Sequence, residues 1–107
     1  MNQISQRVPV IIIKRKWLDE FAAGRKTIEY RRYGRMFTER TFYPGRRVRL
    51  TCQYSMRGLI LSATVKRFQR ALASDRPDLL DVYPDLKPDA EMALIHLDVS
   101  ATPDRLE

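Results

Sequence analysis

Lys16-Trp17-Leu18-Asp19-Glu20-Phe21-Ala22-Ala23-Gly24-Arg25-Lys26-Thr27-Ile28-Glu29-Tyr30-Arg31-Arg32 is the stretch on which the fold turns, because the period of its apolar residues changes halfway. Trp17, Leu18, Phe21 and Ala22 stand at i, i+1, i+4 and i+5, which predicts a short helix over residues 16–23 with one apolar face. Gly24 follows where a left-handed cap would end it. From residue 26 to 32 the period is two. Ile28 and Tyr30 share one side and Thr27, Glu29 and Arg31 the other, which predicts a strand with one polar face.

Outward from this helix and strand, the remaining segments read as more strands. Residues 8–13 are β-branched and predict a strand that Pro9 confines to its first residues or to a sheet edge. Residues 33–45 hold Gly34, Pro44 and Gly45 with little periodicity, a long loop of the kind that carries function. Val48, Leu50, Cys52 and Tyr54 alternate with Arg47, Arg49, Thr51 and Gln53, and residues 59–68 form a second β-rich run across the Met56-Arg57-Gly58 turn, which predicts a hairpin of residues 46–54 and 59–68. Ser74 and Pro77 start, and Pro84 stops, a second short helix in which Leu79, Leu80 and Tyr83 share a face. Residues 90–99 supply the closing strand, and 101–107 a polar tail expected to fray.

The order β-α-β-loop-β-β-α-β, with no Gly-x-Gly-x-x-Gly and no Walker loop, predicts an α+β fold: a small mixed β-barrel of about five or six strands with two short helices. At 107 residues the chain fits a single domain, with its core over roughly residues 8–100. The longest apolar run after Pro9, residues 10–13, is far short of the ~20 that span a bilayer, and residues 1–7 show no secretory pattern, so no membrane partner and a cytoplasmic protein are expected.

Charge divides the chain. Residues 1–70 hold 17 Lys+Arg against 4 Asp+Glu, and residues 71–107 hold 3 against 9. Arg31, Arg32, Arg35, Arg40, Arg46, Arg47 and Arg49 crowd residues 31–49, interleaved with Tyr33, Phe37, Phe42 and Tyr43. Guanidinium forks bind phosphate oxygens bidentately and aromatic faces stack on unpaired bases, so the pattern points to an anionic partner, RNA or single-stranded nucleic acid; protein partners are unknown. One cysteine, Cys52, makes no internal disulfide. His96 lies in an apolar strand-like run and reads as structural. With one Cys and one His, no metal site and no cofactor are expected.

The string Gly24-Arg25-Lys26-Thr27-Ile28-Glu29-Tyr30-Arg31, a helix ending in glycine and then Lys-Thr-x-Glu-x-Arg on a strand, resembles the signature of the ASCH family, whose barrel is similar to the PUA fold of RNA-modifying proteins. The resemblance extends to Pro44-Gly45-Arg46-Arg47-Val48-Arg49-Leu50, similar to the family's Gly-Asp-x-Val strand, and to Tyr54, Ser55 and Gly58, covering roughly residues 10–70. It implies a PUA-like domain that binds nucleic acid, or a small metal-independent hydrolase, a ribonuclease or an amidohydrolase of a modified cytidine. Lys26 matches the lysine at the catalytic centre of the amidohydrolase branch; Glu29 stands where that branch has a catalytic threonine.

Read as chemistry, Glu29 beside Arg31 is a clamp for a base edge or a ribose hydroxyl. Lys26 has the opposite parity in a strict strand and joins that pocket only if the turn after Gly24 or a bulge redirects it. As an enzyme, the chain would work through Lys26 and Glu29, assisted by Tyr30 or Ser55. As a binding module it would use Thr27, Arg31, Arg32, Tyr33, Arg35, Arg40, Arg46, Arg47, Arg49 and Arg57. The plainer alternative is a structural Glu29–Arg31 ion pair with Lys26 in solvent.

Overall fold

The computed structural model describes residues 8–52, 58–81 and 83–99. Five strands form one mixed sheet in the order β1-β3-β4-β5-β2: β1 (Val10–Ile12), β2 (Ile28–Arg32), β3 (Arg47–Thr51), β4 (Ile60–Leu72) and β5 (Glu91–Val99). β1 runs parallel to β3, and the other pairings are antiparallel. β1 and β2, the first and last strands of that order, meet again through a side chain: Arg31 Nη2 donates to the Ile12 carbonyl at 2.7 Å. The sheet is therefore curled into a half-barrel, a small barrel-like α+β fold. Pro9 sits before β1 on the sheet edge, where its missing N–H interrupts no ladder, and its carbonyl accepts from Arg49 N.

The helix α1 (Arg15–Ala22) buries Leu18 and Phe21 and leaves Trp17 half-buried at its flank. Gly24, at φ +81°, turns the chain out of it with a bond from its N–H to the Phe21 carbonyl. Inside the half-barrel, Leu18 and Phe21 join Ile11, Val48, Leu50, Leu61, Val65, Ile95 and Leu97 in the larger core cluster. A second cluster of Ala73, Leu79, Leu86, Met92 and Leu94 covers the other face, with Ile28, Tyr30 and Tyr83 packed on it. β5 is buried along most of its length because alternate residues serve the two clusters, which is why its sequence reads as one apolar run.

The second expected helix is not an α-helix. Residues 73–81 form two 3₁₀ turns, Ala73–Asp75 and Pro77–Asp81. Pro77 pushes the preceding Arg76 out of the helical region, to φ −137° and ψ 77°, and Pro84 interrupts the chain again before a full helix can propagate. Leu79 is fully buried while Leu80 is 49% exposed, so the two do not share a face. β1 and β3 are shorter than the expected strands, whereas β4 runs on to Leu72. The far end of the expected hairpin and the polar tail lie outside the described residues.

The loop of residues 33–45 is pinned. Phe42 is fully buried and Phe37 stacks on it with ring centroids 5.7 Å apart, so these two aromatics pack inward instead of standing free for bases. Arg70 lies 3.9 Å over the Tyr33 ring and pairs with Glu39 and Glu91, tying the loop to β4 and β5.

Phe21→Ala empties a fully buried site under the curl of the sheet and should cost about 3–5 kcal/mol. Leu80→Ala, on the exposed side of its turn, should stay within about 0.5 kcal/mol of wild type. Urea midpoints of the two variants measure the contrast.

Candidate functional site

Strand β2 is the polar stave of the half-barrel. Glu29 pairs with Ile95 and Arg31 with Ala93, so the alternation that sends Ile28 and Tyr30 to the second core cluster turns Glu29 and Arg31 inward, toward the seam with β1. Glu29 is only 6% exposed. Its Oε2 accepts from Arg31 Nε at 2.7 Å, and the same guanidinium spans the seam to Ile12.

Lys26 stands before β2 begins, on the connection that Gly24 turns, and strand parity does not bind it. Its ammonium donates to the Ile28 carbonyl at 2.6 Å and lies 4.6 Å from the Tyr30 ring centroid, 5.3 Å from Phe21 and 5.4 Å from Trp17. Lys26, Glu29 and Arg31 line one cavity of about 240 Å³ together with Trp17, Tyr30 and Tyr83. The redirection that Lys26 needed is thus supplied by the turn. Thr27, expected beside Glu29 and Arg31, instead lines a different cavity, because β2 starts only at Ile28.

The electrostatics of this cavity set burial against charge. Burial pushes the Glu29 carboxyl above its ordinary pKa, opposed by the positive charges of Arg31 and Lys26. Burial also lowers the Lys26 ammonium; Glu29 opposes the shift and Arg31 adds to it. Tyr30 lines the cavity while its hydroxyl donates to Asp78 at 3.3 Å, and burial raises its pKa.

Tyr83 and Arg31 also line a second cavity of about 530 Å³, whose wall is Arg32, Tyr33, Gly34, Arg35 and Phe37. Arg35 projects from a tight turn at φ +53°, a left-handed conformation costly for a residue with a Cβ. Arg31 lies 5.0 Å over the Phe37 ring. Arg40 is exposed. Arg47 donates to Ser62 Oγ, and Arg46 lies 5.2 Å over Tyr43. Arg40, Arg46, Arg47 and Arg49 line neither cavity. Ser55 and Arg57 lie outside the described residues.

Tyr83 is the site residue that sequence reasoning missed. Its hydroxyl donates to the Tyr30 carbonyl at 2.8 Å across 53 positions of sequence, and no local pattern signals so distant a contact. His96, half-buried, bonds Gln69 Oε1 through Nε2 at 2.6 Å. Among the described residues no group of three or more His, Cys, Asp and Glu side chains is placed to hold a metal ion, and no helix is long and apolar enough to cross a membrane.

Arg31→Met removes the cation beside a buried carboxyl whose pKa burial already raises. Such a carboxyl stabilises the fold fully below its unfolded pKa of about 4.3 and loses that contribution as pH rises through the folded value. The loss of the pH-independent bond to Ile12 sets a floor to the penalty of Arg31→Met in acid, and the penalty should grow above that floor to about 3–5 kcal/mol at neutral pH as Glu29 ionises without its cation. Adding Glu29→Gln should flatten this dependence, as read from urea midpoints across the pH range. Compared with known proteins, the chain matches no family model, no curated protein and no solved structure.

Proposed function

We propose that the chain is a nucleic-acid-binding module for RNA or single-stranded nucleic acid, which receives one extruded base in the cavity of Lys26, Glu29 and Arg31 and holds the adjoining backbone along Arg32 and Arg35. The observation that carries this reading is the sharing of Arg31 and Tyr83 by two cavities of different character. The smaller, at about 240 Å³, lies below the range of drug-sized pockets and suits a single ring system. Aromatic rings and fixed polar groups line it: rings to stack on, a carboxylate to accept from an exocyclic amine, and a guanidinium and an ammonium to donate. The larger offers guanidinium groups against Tyr33 and Phe37, the composition that suits a phosphate backbone. The Lys-Thr-x-Glu-x-Arg resemblance and the excess of positive charge in residues 1–70 agree with it.

The strained turn at Arg35 supports the same reading. Glycine would sit there at no steric cost, so the arginine side chain is held out at the expense of backbone strain. Arg35→Gly should leave the melting temperature no lower than wild type while weakening binding. Replacing Arg32 and Arg35 together by Ala should reduce affinity for a short single-stranded RNA and flatten the log–log salt slope by about 0.7 for each phosphate that is no longer neutralised. If fluorescence anisotropy at low salt finds no binding by the wild type, the module reading fails.

A second reading rests on the opposed pKa shifts of Lys26 and Glu29 in one cavity: a small hydrolase in which one of them moves a proton. Under it, wild type should hydrolyse RNA or an acylated cytidine in the presence of chelator, and Lys26→Ala and Glu29→Gln should each lower the rate about 10²–10⁴-fold with the fold retained. An inert wild type whose two variants bind RNA less tightly returns the site to recognition.

A further inference from the structure

Strand β4 breaks its own alternation. Val65 pairs with Leu97 and Arg67 with His96, leaving Lys66 as an extra residue without a partner in the ladder. In a regular strand two successive side chains point to opposite faces. The bulge places Lys66 and Arg67, both exposed, on the wall of one cavity of about 650 Å³ beside the C-terminal end of α1. Thr27, His96 and Lys26 line it too, and Asp98 is the single carboxylate among its described lining residues. Burial, and after it the charges of Arg67, Arg76 and Lys66, hold the His96 pKa below its ordinary value. A bulge gives up ladder pairing, and bulges recur where a side chain is re-aimed at a site.

The position of this cavity suggests what it holds. Lys26 lines it and also lines the seam cavity, so the two lie on either side of one side chain. We infer that the cavity under the β4 bulge is a phosphate subsite, in which Lys66 and Arg67 hold a phosphate of the same nucleotide, or of the same strand, whose base occupies the seam cavity. The assignment rests on the base-pocket reading for the identity of the ligand. The phosphate is either the terminal monoester of a free nucleotide or a diester of a chain. Lysine and arginine recognise both, one as a compact point charge and the other as a bidentate fork.

The test compares wild type with a Lys66→Gln/Arg67→Gln double variant, whose substitutions lie on exposed positions and should leave the melting temperature unchanged. The probes are the common nucleosides, their monophosphates, inorganic pyrophosphate and a short mixed-sequence single-stranded RNA, titrated at low salt. The expected result is that the double variant binds RNA about tenfold more weakly, with a flatter salt slope, and binds nucleosides as wild type does. A monophosphate bound more tightly than its nucleoside by wild type alone identifies the monoester as the ligand; a loss confined to RNA identifies the diester. Equal binding of every phosphate probe by wild type and variant overturns the subsite and leaves the base pocket standing. Pyrophosphate bound through Lys66 and Arg67 with no nucleoside or RNA bound supports the phosphate subsite and overturns the base pocket instead. No binding of any probe by wild type overturns both.

Discussion

One guanidinium holds the half-barrel to its shape. Arg31 takes the Glu29 carboxylate of its own strand with Nε and the Ile12 carbonyl with Nη2, and the second of these bonds links β2 to β1, the strands that stand at opposite ends of the sheet order. A five-stranded sheet that curls but does not close exposes edge groups on β1 and β2 that need partners, and a forked donor satisfies two acceptors at once. The net free energy of such a half-buried pair is small, because removing both charges from water offsets most of their attraction. Its effect is positional. With the fork in place, β2 sits at a set distance from β1, and the space between them is the seam cavity.

That space explains why the site carries stress. Apolar residues on the inward faces of β1, β3, β4 and β5 fill the interior, and only β2 turns a carboxylate and a guanidinium toward it. Glu29 and Lys26 are then drawn from water, which favours the neutral form of each, while their mutual attraction favours the charged forms. A protein selected for packing alone would fill this seam with leucine. The polar seam, the left-handed Arg35 and the bulge at Lys66 are three local departures from the most stable choice, and all three adjoin cavities.

The loop of residues 33–45 shows how few of its side chains are available to a partner. Its aromatics are mostly anchors: Phe42 lies in the core, Phe37 stacks on it, and Tyr33 is clamped under Arg70. The loop thus presents its arginines from a fixed backbone, which under the binding reading would lower the entropy lost on holding a ligand.

Much of this architecture was legible in the sequence. The change of period at Gly24, the alternation of residues 28–32, the pairing of β3 with β4 and the closing strand β5 follow from spacing, because local hydrophobic periodicity and tertiary burial agree there. The grouping of Glu29 with Arg31 followed from strand parity for the same reason. Tertiary structure alone decided the rest. Lys26 entered the cavity and Thr27 left it because the strand begins two residues later than its alternation suggests, a boundary set by pairing with β5. The second helix became two 3₁₀ turns because Pro77 and Pro84 left too few residues between them to propagate one. Tyr83 and the Lys66 bulge were invisible because their consequences depend on partners dozens of residues away, and a sequence read locally carries the period of each element but not the register in which the elements meet.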